Sequence, residues 1–204
     1  MRRIYLMFLV SCICWSCSGP QTVAEVDGVK IVKAVADHLQ AGYAGVTFDG
    51  VLTVSDLVKP VLDSTEAGLY AGGVDPQAIV YYSLGSSAFR AGLGLTTWGK
   101  YVLGDDSDTV FKIVDACTSE FLAALKDAFE DYEVTVLEWV QIPSRVIRVG
   151  FVASGKWDVE VPKATGPGAT WGSIFEGAVL AAEGILAGPK WGDIVTLKST
   201  TVVD

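Results

Sequence analysis

Apolar and polar positions change period along the chain. Ile4 to Cys14 is almost wholly apolar and shows no period. From residue 26 the spacing turns helical. Val29, Val32, Val35/Ala36 and Leu39 predict a helix over 26–41. Asp27 is placed to cap it, and Ala41-Gly42 to stop it, because glycine accepts the left-handed conformation that ends helices. A second helix is expected over 56–67, capped by Ser55, with Pro60 in its first turns, where a missing N–H costs least. The two segments read as an internal repeat. Ile31–Asp37 aligns with Leu57–Asp63, and Ala41-Gly42 with Ala67-Gly68 in the same register. Similar tails follow, Tyr43-Ala44-Gly45-Val46 and Tyr70-Ala71-Gly72-Gly73-Val74. Two such copies suggest a packed helix pair within one domain and are too few for a solenoid.

Asp75-Pro76 is a helix-start signal. Residues 77–103 are apolar but interrupted by Gly85, Gly92, Gly94 and Gly99. That pattern fits a helix followed by irregular structure, or closely packed strands. Gly104-Asp105-Asp106-Ser107 is a turn into the clearest helix, 108–131, whose apolar face runs from Val110 through Cys117 and Phe121 to Phe129. Residues 133–140 are then β-rich, and 145–152 and 157–161 read as strands joined by a tight turn at Ser154-Gly155-Lys156. After a loop at Gly166-Pro167-Gly168, a helix is expected over 171–187, with Glu176 and Glu183 toward solvent, and a strand over 193–203. The expected fold class is α+β: N-terminal helices followed by a small antiparallel sheet with a C-terminal helix packed on it.

The opening run is best explained as targeting. Arg2 and Arg3 precede it, and the small polar stretch Ser16-Cys17-Ser18-Gly19-Pro20 follows, in the order of a secretory signal peptide. Cleavage after Ser18 divides the chain into a signal peptide, 1–18, and a single extracytoplasmic α+β domain, 19–204. Two alternatives stay open. Residues 4–24 carry no charge and are long enough for an uncleaved anchor. Leu9-Val10-Ser11-Cys12 also resembles a bacterial lipobox, with Cys12 as the lipidated residue and Cys17 as an alternative acceptor. The expected location is extracytoplasmic: periplasmic, secreted or membrane-anchored. Later uncharged runs are shorter than a bilayer requires.

Composition narrows the function classes. The 204 residues are 50% hydrophobic and 19% charged, which excludes a disordered chain. Lys and Arg number 15 against 24 Asp and Glu, a formal charge of −9. That balance opposes general nucleic-acid binding, and loss of Arg2 and Arg3 makes the remainder more acidic still. Cys117 is the only cysteine beyond residue 17, so the body has neither a disulfide framework nor a cysteine zinc site, and Cys117 reads as a small buried hydrophobe.

Several motifs dissolve on inspection. Gly150 to Lys156 has the spacing of a phosphate-binding loop, but Trp157 stands where Ser or Thr must bind Mg²⁺, so a hairpin turn is preferred. Asp105, Asp106 and Asp108 lack the remaining order of a calcium loop and suit a helix N-terminus. His38 is the only histidine, beside Asp37 on a helix flank, and no Gly-x-Ser-x-Gly elbow exists. Tyr82-Ser83-Leu84-Gly85, with Phe89 and Gly94, locally resembles the Tyr-Ser-Leu-Gly segment of the SYLF lipid-binding family. That likeness covers 82–94 alone and does not establish membership.

Tryptophan is the remaining candidate chemistry. Trp98, Trp171 and Trp191 each precede glycine, a pairing that can form a flat platform for a sugar or apolar partner. Trp157, Trp171, Trp191 and Trp98 are therefore the candidate ligand-binding residues, with core packing as the competing explanation. The sequence favours an exported or lipid-anchored cell-envelope protein acting as a non-catalytic binding domain. Its expected partner is a protein, glycan or lipid of the envelope, with no nucleic acid, cofactor, metal or catalytic residue assigned. A membrane is expected only through an N-terminal lipid or uncleaved anchor. The alternatives are a secreted hydrolase using acidic residues, with His38 or a divalent ion, and a structural subunit of a surface or particle assembly.

Overall fold

The computed structural model describes residues 24–74, 76–94, 97–161, 168–186 and 196–201. The sequence-predicted leader, with Cys12 and Cys17, and Trp191 lie outside them, as does Asp75. After strand β1 (Ala24–Val26), helix α1 spans Gly28–Asp49. Asp27 caps it by accepting from the Lys30 amide at 3.2 Å. The helix continues past the expected stop at Gly42 and ends at Gly50, whose φ of 69° is left-handed. Gly42 serves packing instead: a Cβ there would lie 2.8 Å from Cβ of Pro60.

Strand β2 (Leu52–Thr53) leads into α2 (Val54–Gly72). Its cap is Thr53, not Ser55. Thr53 Oγ1 accepts from the Asp56 amide while the Asp56 carboxylate accepts from the Thr53 amide, a reciprocal capping box. The second expected stop, Gly68, is also interior. A Cβ there would lie 2.7 Å from Cγ2 of Val35, so glycine sets the spacing of an antiparallel α1–α2 pair. The internal repeat is visible in this pair. Lys33 Nζ meets Asp37 at 2.5 Å, and Lys59 Nζ meets Asp63 at 2.7 Å, each four residues apart at matching repeat positions.

The segment left open between helix and strand becomes both. Helix α3 spans Pro76–Gly94 and β3 spans Val102–Gly104, pairing antiparallel with β2. Helix α4 (Ser107–Ala128) starts at Asp106, which accepts from the Thr109 amide at 2.9 Å. Strand β4 (Glu133–Thr135) is short, and the expected strands over 136–140 and 145–152 are corrected to one helix, α5 (Val136–Ala153). Local β-propensity loses there to a Thr135/Glu138 capping box and to burial of Trp139, Ile142, Val146 and Gly150 at helical spacing. The expected hairpin turn at 154–156 is the end of α5. Gly155 has φ 69° and donates to Val152 O, and Lys156 N–H reaches back to Phe151 O, a Schellman arrangement. Residues 157–161 are turns with a single bridge, Glu160 to Thr170.

Helix α6 (Trp171–Leu186) and strand β5 (Thr196–Ser199) complete the fold. β5 lies between β1 and β4, parallel to β1 and antiparallel to β4. The class is α+β, dominated by helices and carrying small sheets. The core centres where α1, α2, α4 and α5 converge. The Tyr43 hydroxyl donates to Leu57 O at 2.9 Å, and the Cys117 thiol lies 3.6 Å from Val146 O.

Candidate functional site

Two of the four sequence-predicted tryptophans, Trp98 and Trp171, meet in one aromatic nest, and Trp157 packs nearby on the same helix start. Trp171, at the start of α6, lies 4.9 Å from the Tyr101 ring centroid, 5.4 Å from Phe151 and 5.8 Å from Trp98. Trp157 lies beside Gly172, whose N–H donates to the Trp157 carbonyl at 2.8 Å, and packs edge-on against Phe175, while the Arg148 guanidinium sits 5.4 Å from the Trp157 centroid. Trp171 is buried, whereas Trp98 and Trp157 are half-buried. The glycines after two of these tryptophans have packing roles. A Cβ on Gly172 would lie 2.6 Å from Nε1 of Trp157, and one on Gly99 would meet Ser55 Oγ at 2.5 Å. The indole N–H groups of Trp171 and Trp139 are buried without a hydrogen-bond acceptor. This nest joins α5, α6 and the α3–β3 connection.

The classical reactive groups are dispersed. His38 is exposed on α1, and its neighbour Asp37 pairs with Lys33. Cys117 is buried, and that burial pushes its thiol up to about 12. Asp106 is held below the usual carboxylate range by the hydrogen bonds it accepts from Thr109. Among the described residues, no group of three or more His, Cys, Asp or Glu is placed to hold a metal ion.

A second surface, on α3 within the Gly-interrupted 77–103 run and overlapping the 82–94 likeness, has unused apolar area. Helix α3 is fastened to α2 by a polar seam. The Tyr82 hydroxyl donates to Leu62 O at 3.2 Å, Ser83 donates to Glu66, and Arg90 bonds Asp63, which also holds Lys59. Burial holds the Tyr82 hydroxyl well above its ordinary pKa, so it is a neutral donor. Ile79 is buried, and Tyr82, Phe89 and Leu93 pack against the core.

The outer side of α3 carries Val80 and Leu84, 51% and 55% exposed and one turn apart, continued by exposed Ser87 and Ala91. Tyr70, 59% exposed, lies one turn beyond Glu66 on the adjoining end of α2. Among the described helices, α3 alone contains neither Asp nor Glu. The sequence signal was that charge vacancy, since apolar residues on both sides of α3 hide any single period. No described helix is long and apolar enough to cross a membrane. No known protein family, curated protein or solved structure matches the chain.

Proposed function

We propose that this chain is an exported or lipid-anchored cell-envelope protein that works by binding, without catalysis. The observation that carries this reading is the exposed aliphatic row on α3. Val80 and Leu84 stay in water although the same helix turns Ile79, Tyr82, Phe89 and Leu93 toward the core and has a polar seam. Covering a Val or Leu side chain yields about 1.5–3 kcal/mol, so a partner seated on both gains appreciably from a rigid, preformed surface. The half-buried Trp98 and Trp157 edges remain candidate contacts of the same kind for a sugar or apolar group.

The test is association with the envelope fraction in cells making the full chain. Val80→Asp combined with Leu84→Asp should weaken it, and His38→Ala should leave it unchanged. Mass spectrometry of the mature N-terminus should find Gly19, or a lipid on Cys12 or Cys17, or an intact leader in the membrane. A cytosolic chain with an intact leader sinks the export reading. Hydrolysis of an envelope substrate that disappears with one carboxylate substitution sinks the non-catalytic reading.

A further inference from the structure

We propose that α3 is a hinged strap that lifts off α2 as a unit while the other helices stay folded, and that the polar seam between α2 and α3 sets how often it lifts. This motion goes beyond the binding reading and holds whatever α3 binds.

The four core helices close on one another without α3. Helix α1 packs on α2 and α4, and α5 packs on α4 and α2, so the four form a ring in which each is held by two others. Helix α3 stands outside that ring, and among the described elements its extensive packing is against α2 alone. Lifting it breaks no link of the ring. The ring is interlocked at close range. A Cβ on Gly72 would overlap the Ile31 side chain, one on Gly68 would meet Val35, and one on Gly150 would meet Leu57 and Cys117. The ends of α3 are looser. Gly73, just before it, has φ 81°, and a Cβ built there or at Gly94, its last residue, would meet nothing within 4 Å.

The fastening of α3 is polar and lies close to water. Arg90 and Asp63 are 28% and 33% exposed, and Ser83 and Glu66 are half-buried. When α3 lifts, these groups regain water, so no charge is left buried and unpaired. The apolar cost falls on Ile79, Tyr82, Phe89 and Leu93, whereas global unfolding opens the whole ring as well. Those four side chains keep the closed form dominant, and the partial opening still costs less than the global one. Each lifting event uncovers them beside Val80 and Leu84, so the seam controls how much apolar surface α3 offers.

The test is hydrogen exchange of the native full chain at urea concentrations below its unfolding transition. Mass spectrometry reads peptides from 79–91 of α3 and 113–125 of α4. The α3 amides should exchange at least tenfold faster than those of α4. Their opening should also depend less steeply on urea, because lifting exposes only part of the surface that unfolding does. Two variants separate the openings. Gly150→Ala strains the ring in the closed and the lifted forms alike, so it should speed α4 exchange at least fivefold and leave α3 exchange unchanged. Asp63→Asn weakens only the closed form, so it should speed exchange in both helices by the same factor, about tenfold. Equal rates with equal urea slopes in the two helices overturn the proposal, as does an α3 acceleration in Gly150→Ala that matches that of α4. The urea comparison needs no variant, so it decides where Gly150→Ala fails to fold. Exchange of α3 at the rate of an unstructured peptide removes the closed form, and an α3 rate indifferent to Asp63→Asn removes the seam as its fastener. Either result also overturns the strap.

Discussion

Gly150 lies where α5 comes closest to both α2 and α4. A Cβ at this position would stand 2.7 Å from Cδ1 of Leu57 and 2.9 Å from the Cys117 sulfur. Those neighbours are fully buried and have little room to move, so Gly150→Ala should cost about 1–3 kcal/mol in urea unfolding. An unchanged midpoint would show that the helices separate freely there. Cys117 reports on the same junction. Its folded thiol titrates near 12 because burial disfavours the thiolate, against about 8.5 for a free thiol. The raised value fixes the sign. Its contribution to stability is complete below the unfolded pKa and is lost as pH rises through the folded one. Tyr43, also raised by burial, acts in the same direction. Cys117 should therefore resist thiol reagents at pH 8 in the native chain and react on unfolding, as peptide mapping of that residue would read. Rapid native labelling would refute a closed junction. Asp27 and Asp106 have the opposite sign. Accepted hydrogen bonds hold both below the ordinary carboxylate value, so their contribution is present above that value and lost as acid protonates them.

Helix boundaries here are set by side chains that reach back to the backbone, and these were partly legible in advance. Thr53→Ala and Thr135→Ala each remove one half of a capping box and should each cost about 1 kcal/mol. Ser55→Ala should cost less as a capping change, because Thr53 holds the cap. Chemical denaturation of the three variants compares them directly, and equal losses would remove Thr53 from that role. The clear cases, α4 and α6, each follow a turn or loop signal, and α4 adds one long apolar face. The misread cases share a physical cause. Gly42 and Gly68 look like stops, but their missing side chains admit Pro60 and Val35 across a helix pair. Residues 133–140 and 145–152 look like strands because they are rich in β-branched residues, yet from 136 onward burial at helical spacing decides the outcome. The tryptophan nest was legible as residue type but not as contact, since its members come from distant segments. The repeat also separates two ion pairs that the sequence makes equivalent. Asp37 is largely exposed and holds only Lys33, whereas Asp63 is half-buried and holds Lys59 and Arg90. Asp37→Asn should change stability by less than about 0.5 kcal/mol, and Asp63→Asn by clearly more, because Arg90 then loses its carboxylate in the α2–α3 seam. Equal effects would mean that the seam does not hold α3.

The whole molecule is closed by its last described strand. β5 is the central strand between β1 and β4, so it joins the first described residues to the α4–α5 connection. Beyond the sheet, the same segment satisfies the start of α1. Ser199 Oγ accepts from Gly28 N–H at 3.2 Å, and Thr201 Oγ1 accepts from Val29 N–H at 3.1 Å and donates to Asp27 Oδ1 at 3.0 Å. Thr200 N–H donates to Val26 O at 2.9 Å. Removing residues 196–204 would leave β1 and β4 without their shared partner and open buried Val26 and Val134 to water. Each opened aliphatic residue costs about 1.5–3 kcal/mol, and each uncompensated amide adds about 1–3 kcal/mol where water does not replace its partner. The sum rivals the net stability of an ordinary domain, so the truncated chain should lose its cooperative urea transition. A milder pair of changes keeps the strand and removes only the side-chain bonds. Ser199→Ala with Thr201→Val should lower stability by about 1–3 kcal/mol and speed amide exchange at Gly28 and Val29 while leaving Val134 protected. If the truncated chain unfolds at the wild-type midpoint, β5 does not close the fold. If the double variant exposes Val134 as much as Gly28, the clasp and the sheet form one cooperative unit instead of separable layers.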